Sequence, residues 1–200
     1  MNSTPQRDVD AVTAAMRHWL EKAVIGLNLC PFAKSVYVNN QVRIVVSQAP
    51  HLDGLLEELD RELDFLAAAD PREVDTTLLV HPTLLPDFLD FNEVVGIAEE
   101  AVIEHELEGV IQIASFHPRF QFDGTEPDEI GNYTNRAPYP TLHLIREDSL
   151  ERAIAAHPDP DGIYQRNIET MQRLGVEGWK ALEVDVAPDA SADAGGAAHR

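Results

Sequence analysis

The chain has a single cysteine, Cys30, in 200 residues. That excludes an intramolecular disulfide and a cysteine-rich zinc module. Cations are scarce: 15 Lys+Arg stand against 35 Asp+Glu, for a net charge of −20. A chain this acidic is a poor ligand for polyphosphates, so no nucleic acid partner is expected. Long apolar runs are missing too. No stretch approaches the ~18 apolar residues of a spanning helix, so no membrane partner is expected. The opening residues, MNSTPQRDVD, lack the apolar core of a signal peptide. Glycine-rich phosphate loops are absent, with neither GxGxxG nor GxxxxGK[ST] in the chain. Aromatics are only 6%, yet 44% of residues are hydrophobic, the composition of a globular protein. A chain of this length can bury about 70% of its extended surface. A soluble, acidic, cytoplasmic protein is the expectation.

The acid is unevenly placed. Residues 51–108 hold 17 acids and 2 bases, whereas residues 109–147 hold 5 acids and 3 bases. The acidic stretch is either a solvated coat or a docking face for a basic protein partner.

Apolar spacing of three and four predicts a helix over 8–25, carrying Val9, Val12, Met16, Trp19, Leu20, Ala23 and Val24, with Gly26 as its stop. A leucine stripe from Leu52 to Leu66 predicts a second helix, and a third runs from about Pro86 to Leu107. Strands are expected at 42–47, 76–81, 109–117 and 141–146. Residues 118–140 have no period and are expected to form one long loop. Two further helices are expected, one from Asp148 or Ser149 to about Ala156 and one over about 161–174, stopped by Gly175. The alternation predicts a single α/β domain over 8–180, with about four strands in a mixed sheet flanked by helices. A ferredoxin-like split βαβ arrangement is the alternative. Residues 1–7 are expected to be a flexible N-terminus, and 185–200, small and polar, a disordered tail.

Two strands end alike, in LeuLeuVal-His81-Pro82 and AlaSerPhe-His117-Pro118. Ligands in open α/β sheets bind beyond the carboxyl ends of strands. His81 and His117 are therefore candidate acid/base residues, or else strand-closing structural histidines. His143 lies within the last strand and alternates away from Leu142 and Leu144. Convergence of His81, His117 and His143 would supply three nitrogens to a zinc ion, although no HxH or HExxH motif calls for one. Cys30 precedes Pro31 and is placed to cap a new turn, where backbone N–H groups would stabilise a thiolate. It is a candidate nucleophile, or else a small buried hydrophobe. Arg119, Arg136 and Arg146 are all the bases of residues 109–147, and guanidinium forks match carboxylate or phosphate. Together with Asn132 and Asn135 in the long loop, they are candidate binders of a small anionic molecule, or else members of structural ion pairs.

Four blocks carry a resemblance: IGLNLCPFAK (25–34), TTLLVHP (76–82), IQIASFHPRFQF (111–122) and TNRAPYPTLHLIRE (134–147). In this order they resemble the bacterial and plant family called domain of unknown function 1415, over roughly residues 9–176. The resemblance implies a compact cytoplasmic α/β domain and no particular reaction. Ala137 stands where the family's block has serine, so no role is carried over to that position. The sequence supports an enzyme acting on a small anionic metabolite by thiol-dependent or acid/base chemistry. Its alternatives are a non-catalytic anion- or metal-binding module and an acidic protein–protein adaptor.

Overall fold

A computed structural model describes residues 9–185. The expectations for residues 1–7 and for the tail from 186 onward lie outside the described residues.

One mixed sheet divides the molecule into three layers. Its strands are β1 (Val42–Val46), β2 (Thr76–Val80), β3 (Ile111–Phe116) and β4 (Thr141–Arg146). They lie in the order β1-β2-β4-β3. β1 and β2 are parallel and joined by α3 (Leu52–Ala68). α4 (Phe88–Glu104) carries the chain from β2 to β3, leaving a gap that β4 fills antiparallel to both neighbours. β2–α4–β3 is thus a split βαβ unit, set within the expected mixed α/β sheet rather than in a ferredoxin-like whole.

The periodicities explain the layers. β2 is buried along its full length, as a central strand covered on both faces must be. Its Leu78 and Val80 face one core, and Leu79 faces the other. The second core is filled by Leu55, Leu59, Leu63 and Leu66 of α3 and by Phe91, Ala98 and Val102 of α4. Asp87 caps α4, its carboxylate accepting from the Leu89 N–H at 2.9 Å. The first core is covered by α1 (Val9–Trp19), by α6 (Ile163–Lys180) and by Val184 beyond it.

Three details depart from the expected outline. The first helix does not run as one α-helix to residue 25: Leu20–Ile25 is a π-helix. Gly26 is not left-handed there. A Cβ at this position would lie 2.4 Å from the Lys22 carbonyl oxygen, so close approach to the wide turn requires glycine, and Asn28 (φ 55) makes the reversal. Gly175 (φ 64) kinks the last helix instead of ending it, and the continuation carries Trp179 into the core. The long loop contains a 3₁₀ helix, Ile130–Asn135. The short α2 (Ala33–Val38) and α5 (Glu147–Ala156) complete the chain. No helix among the described residues is long and apolar enough to cross a membrane.

Candidate functional site

The structure sorts the predicted residues into three places.

His81 and His117 lie at one rim, on either side of the start of β4. The His81 N–H donates to Pro140 O and the His117 N–H to Asn135 O. Both rings turn to the α4 side and meet Phe91, at centroid distances of 5.8 and 5.1 Å. His117 is fully partnered. Its Nδ1 accepts from the Arg119 N–H at 3.0 Å, so its Nε2–H donates to Leu85 O, also at 3.0 Å. Leu85 itself sits at φ 56, a costly conformation for a branched residue. Burial lowers the His117 pKa, and the nearby Arg119 and Arg136 act the same way. His81 is 1% exposed, and among the described residues no well-aligned hydrogen bond reaches either ring nitrogen, although the Leu84 backbone lies near enough to favour the charged ring weakly. Burial pulls its pKa down to about 4.

The loop residues are largely occupied locally, the exception being Arg136 Nε, which is buried without a hydrogen bond among the described residues. Asn132 Oδ1 accepts from the Phe122 N–H and from the Thr125 hydroxyl, and its amide donates to Glu126 O. Asn135 donates to Ser115 O. The Arg136 guanidinium lies 3.8 Å from the Tyr133 ring centroid and donates to Pro127 O, while Trp19 Nε1–H donates to Arg136 O.

Arg146 is at the opposite rim and does not join this group. It is buried, and its guanidinium donates to Leu66 O, Ala69 O and Val74 O. Those carbonyls belong to the last turn of α3 and the chain beyond it, which have no intrahelical partners. Arg146 is thus a helix cap, and its donors are spent.

Cys30 and His143 line a cavity of about 270 Å³ on the α1 face of the sheet. Pairing aligns Ile44, Leu78, His143 and Ala114 in one row across the four strands. His143 therefore faces away from the side on which His81 and His117 meet Phe91, and the three-nitrogen metal arrangement does not form. No group of three or more His, Cys, Asp or Glu among the described residues could hold a metal ion.

Each strand lends a wall residue to the cavity: Val42, Leu78, Ala114 and His143 among them. The π-helix covers it with Leu20 and Val24. The small side chain of Ala114 leaves room beside His143. α2 and α5 flank it, and neither contains a fully buried residue. Ser149 donates to the Asp75 carboxylate at 2.5 Å on the α5 side.

The tautomer of His143 follows from its neighbour. The Thr76 hydroxyl has one hydrogen, which it donates to Leu144 O at 2.7 Å. The 2.6 Å contact between Thr76 Oγ1 and His143 Nε2 is then a bond donated by Nε2–H. Nδ1 carries the lone pair, and among the described residues no hydrogen bond reaches it. Burial lowers the His143 pKa to about 4, so the ring is neutral at pH 7. The cavity thus presents a neutral acceptor.

At Cys30, which packs against the first core, two effects oppose each other. The N–H groups of Phe32 and Ala33 do favour its thiolate, but burial outweighs them and raises the pKa. Burial therefore favours the thiol over the thiolate. None of Arg119, Arg136 and Arg146 lines this cavity. Thr76 and Ala114 escaped sequence reasoning because only the register between non-consecutive strands places them beside His143.

No curated protein and no solved structure matches the chain. A family model described as "Protein of unknown function (DUF1415)" matches residues 11–181, and the chain belongs to that family.

Proposed function

We propose that the protein binds a small, largely apolar, uncharged molecule bearing one hydrogen-bond donor. One observation carries the reading: a neutral imidazole with a bare Nδ1 lines a largely apolar cavity walled by all four strands, where the Asp75 carboxylate is already engaged by Ser149 and the Thr76 hydroxyl by Leu144 O. Such a cavity with a few fixed polar groups is the common form of a small-molecule site. A donor O–H or N–H on the ligand would meet Nδ1. A carboxylate would find no cation on these walls, so the anionic ligand suggested by the arginines is replaced here by an uncharged one.

Phenol and toluene are suitable probes, alike in shape but differing in the donor. We expect both to shift the amide resonances of Val24 and Ala114. Phenol should gain about 0.5–1.5 kcal/mol from its hydrogen bond, relative to what its lower apolarity gives. His143→Leu should remove that increment and leave toluene binding in place. Ala114→Leu should exclude both probes by filling the cavity. Shifts confined to other regions, or a phenol increment that survives His143→Leu, would contradict the reading.

A second reading is an enzyme in which His143 Nδ1 takes a proton from the bound donor. Its support is the same free lone pair, and its weakness is the low basicity that burial imposes.

A further inference from the structure

A second cavity, of about 440 Å³, lies between the turn after the π-helix and α6. Its lining is polar, unlike that of the first. Arg166, Asn167, Thr170 and Arg173 present α6 to it, and Asn28 and His157 face them. Asn167 pins the opposite wall by donating its amide to Leu29 O at 2.8 Å. The two arginines are held differently. Arg166 is clamped by Asp159, through the carboxylate at 2.5 Å and the backbone carbonyl at 2.8 Å. Among the described residues Arg173 makes one side-chain hydrogen bond, to the Thr170 hydroxyl at 3.2 Å, and no carboxylate pairs with it.

We propose that this cavity is a binding site for a small oxyanion, with the Arg173 guanidinium as its principal donor. A guanidinium matches the two oxygens of a carboxylate or phosphate, and its charge strengthens both bonds. Glu169 also lines the cavity, and its carboxylate accepts from Gln165. With Asp159 it offsets the two arginines, so affinity is modest and local geometry carries it rather than long-range attraction. The proposal is independent of what the apolar cavity holds. It places the anion affinity looked for at Arg119, Arg136 and Arg146 on α6 instead.

The test is a titration of the full chain with inorganic phosphate and, separately, succinate. Sodium chloride holds ionic strength constant, and the Arg173 Nε–H and α6 amide resonances are followed. The expected result is saturable shifts with a Kd on the order of 1 mM. Arg173→Gln should weaken binding about tenfold or more. Glu169→Gln should tighten it about threefold by removing a like charge. Lys180→Gln removes the same charge from the same helix, at a residue paired with Glu177 outside the cavity lining, and should leave binding unchanged. Arg173 and Lys180 are both exposed, so the folded state should survive, as thermal unfolding would verify. Preference for phosphate or for succinate identifies which oxyanion the cavity fits. Absence of saturation with both probes overturns the proposal. So does equal weakening by Arg173→Gln and Lys180→Gln, which would report only overall charge.

Discussion

At the scale of single residues, the histidines and arginines divide by whether their polar atoms are already used. His117 and Arg146 spend theirs on backbone partners. Arg146→Leu should strip the carbonyls at the end of α3 of their donor and cost about 2–4 kcal/mol. Urea unfolding would show it, with probe binding to the apolar cavity unchanged in the folded protein. His81 is the reverse case, because both its nitrogens are buried without a well-aligned hydrogen bond among the described residues. His81→Leu should be neutral or stabilising by about 1 kcal/mol, since an unsatisfied polar group is removed with little loss of volume. A loss above ~2 kcal/mol in the same urea assay would mean that His81 has a partner, such as a buried water. Which histidine belonged to which class was not legible in the chain. Strand alternation placed His143 opposite Leu142 and Leu144. It could not say that His81 and His117 turn the other way, because β4 reaches its place through a long aperiodic loop.

At the scale of elements, amphipathic spacing made the main helices and all four strands readable, because burial on one face imposes a period. The π-helix was not readable. Leu20, Ala23 and Val24 fit an α-helical stripe equally well, so apolar spacing does not distinguish the wide turn from an ordinary one. The glycines show where backbone geometry takes over from spacing. Gly26→Ala would set a Cβ 2.4 Å from Lys22 O and 2.9 Å from Glu21 O. We expect a loss of roughly 1–3 kcal/mol, with disturbance of the cavity beneath. Gly96 lies exposed within α4, and a Cβ there meets nothing within 4 Å. Gly96→Ala should therefore add about 0.5–1 kcal/mol through helix propensity. Thermal unfolding of the two variants should move in opposite directions.

At the scale of the whole molecule, the acid and the cavity lie in different layers. The outer face of α3 exposes Asp53, Glu57, Asp60 and Asp64, on the far side of the sheet from His143. His105, at the C-terminal cap of α4, bridges Asp60 and Asp64 at 3.2 and 2.9 Å. Those carboxylates raise its pKa. Its contribution is therefore complete below the unfolded histidine value of ~6.5 and fades as pH rises through its raised folded value. His81 and His143 have the opposite sign. Their folded values near 4 lie below the unfolded ~6.5. The stability they allow is present above ~6.5 and drains as pH falls toward 4, by an order-of-magnitude 3 kcal/mol each. The His105 clip does not offset this fall, because its contribution is already complete over that range. Urea midpoints should accordingly fall steeply between pH 6.5 and 4, and the fall should be shallower in His81→Leu.

His143 offers a neutral, unpaired acceptor to a largely apolar cavity. Nitrogen-15 spectroscopy of the histidine rings at pH 7 tests it most directly. His143 should be neutral with hydrogen on Nε2 and a bare Nδ1, and the Nδ1 resonance should shift when phenol is added. A protonated ring, the opposite tautomer, or an Nδ1 resonance indifferent to phenol while the probe occupies the cavity would contradict it.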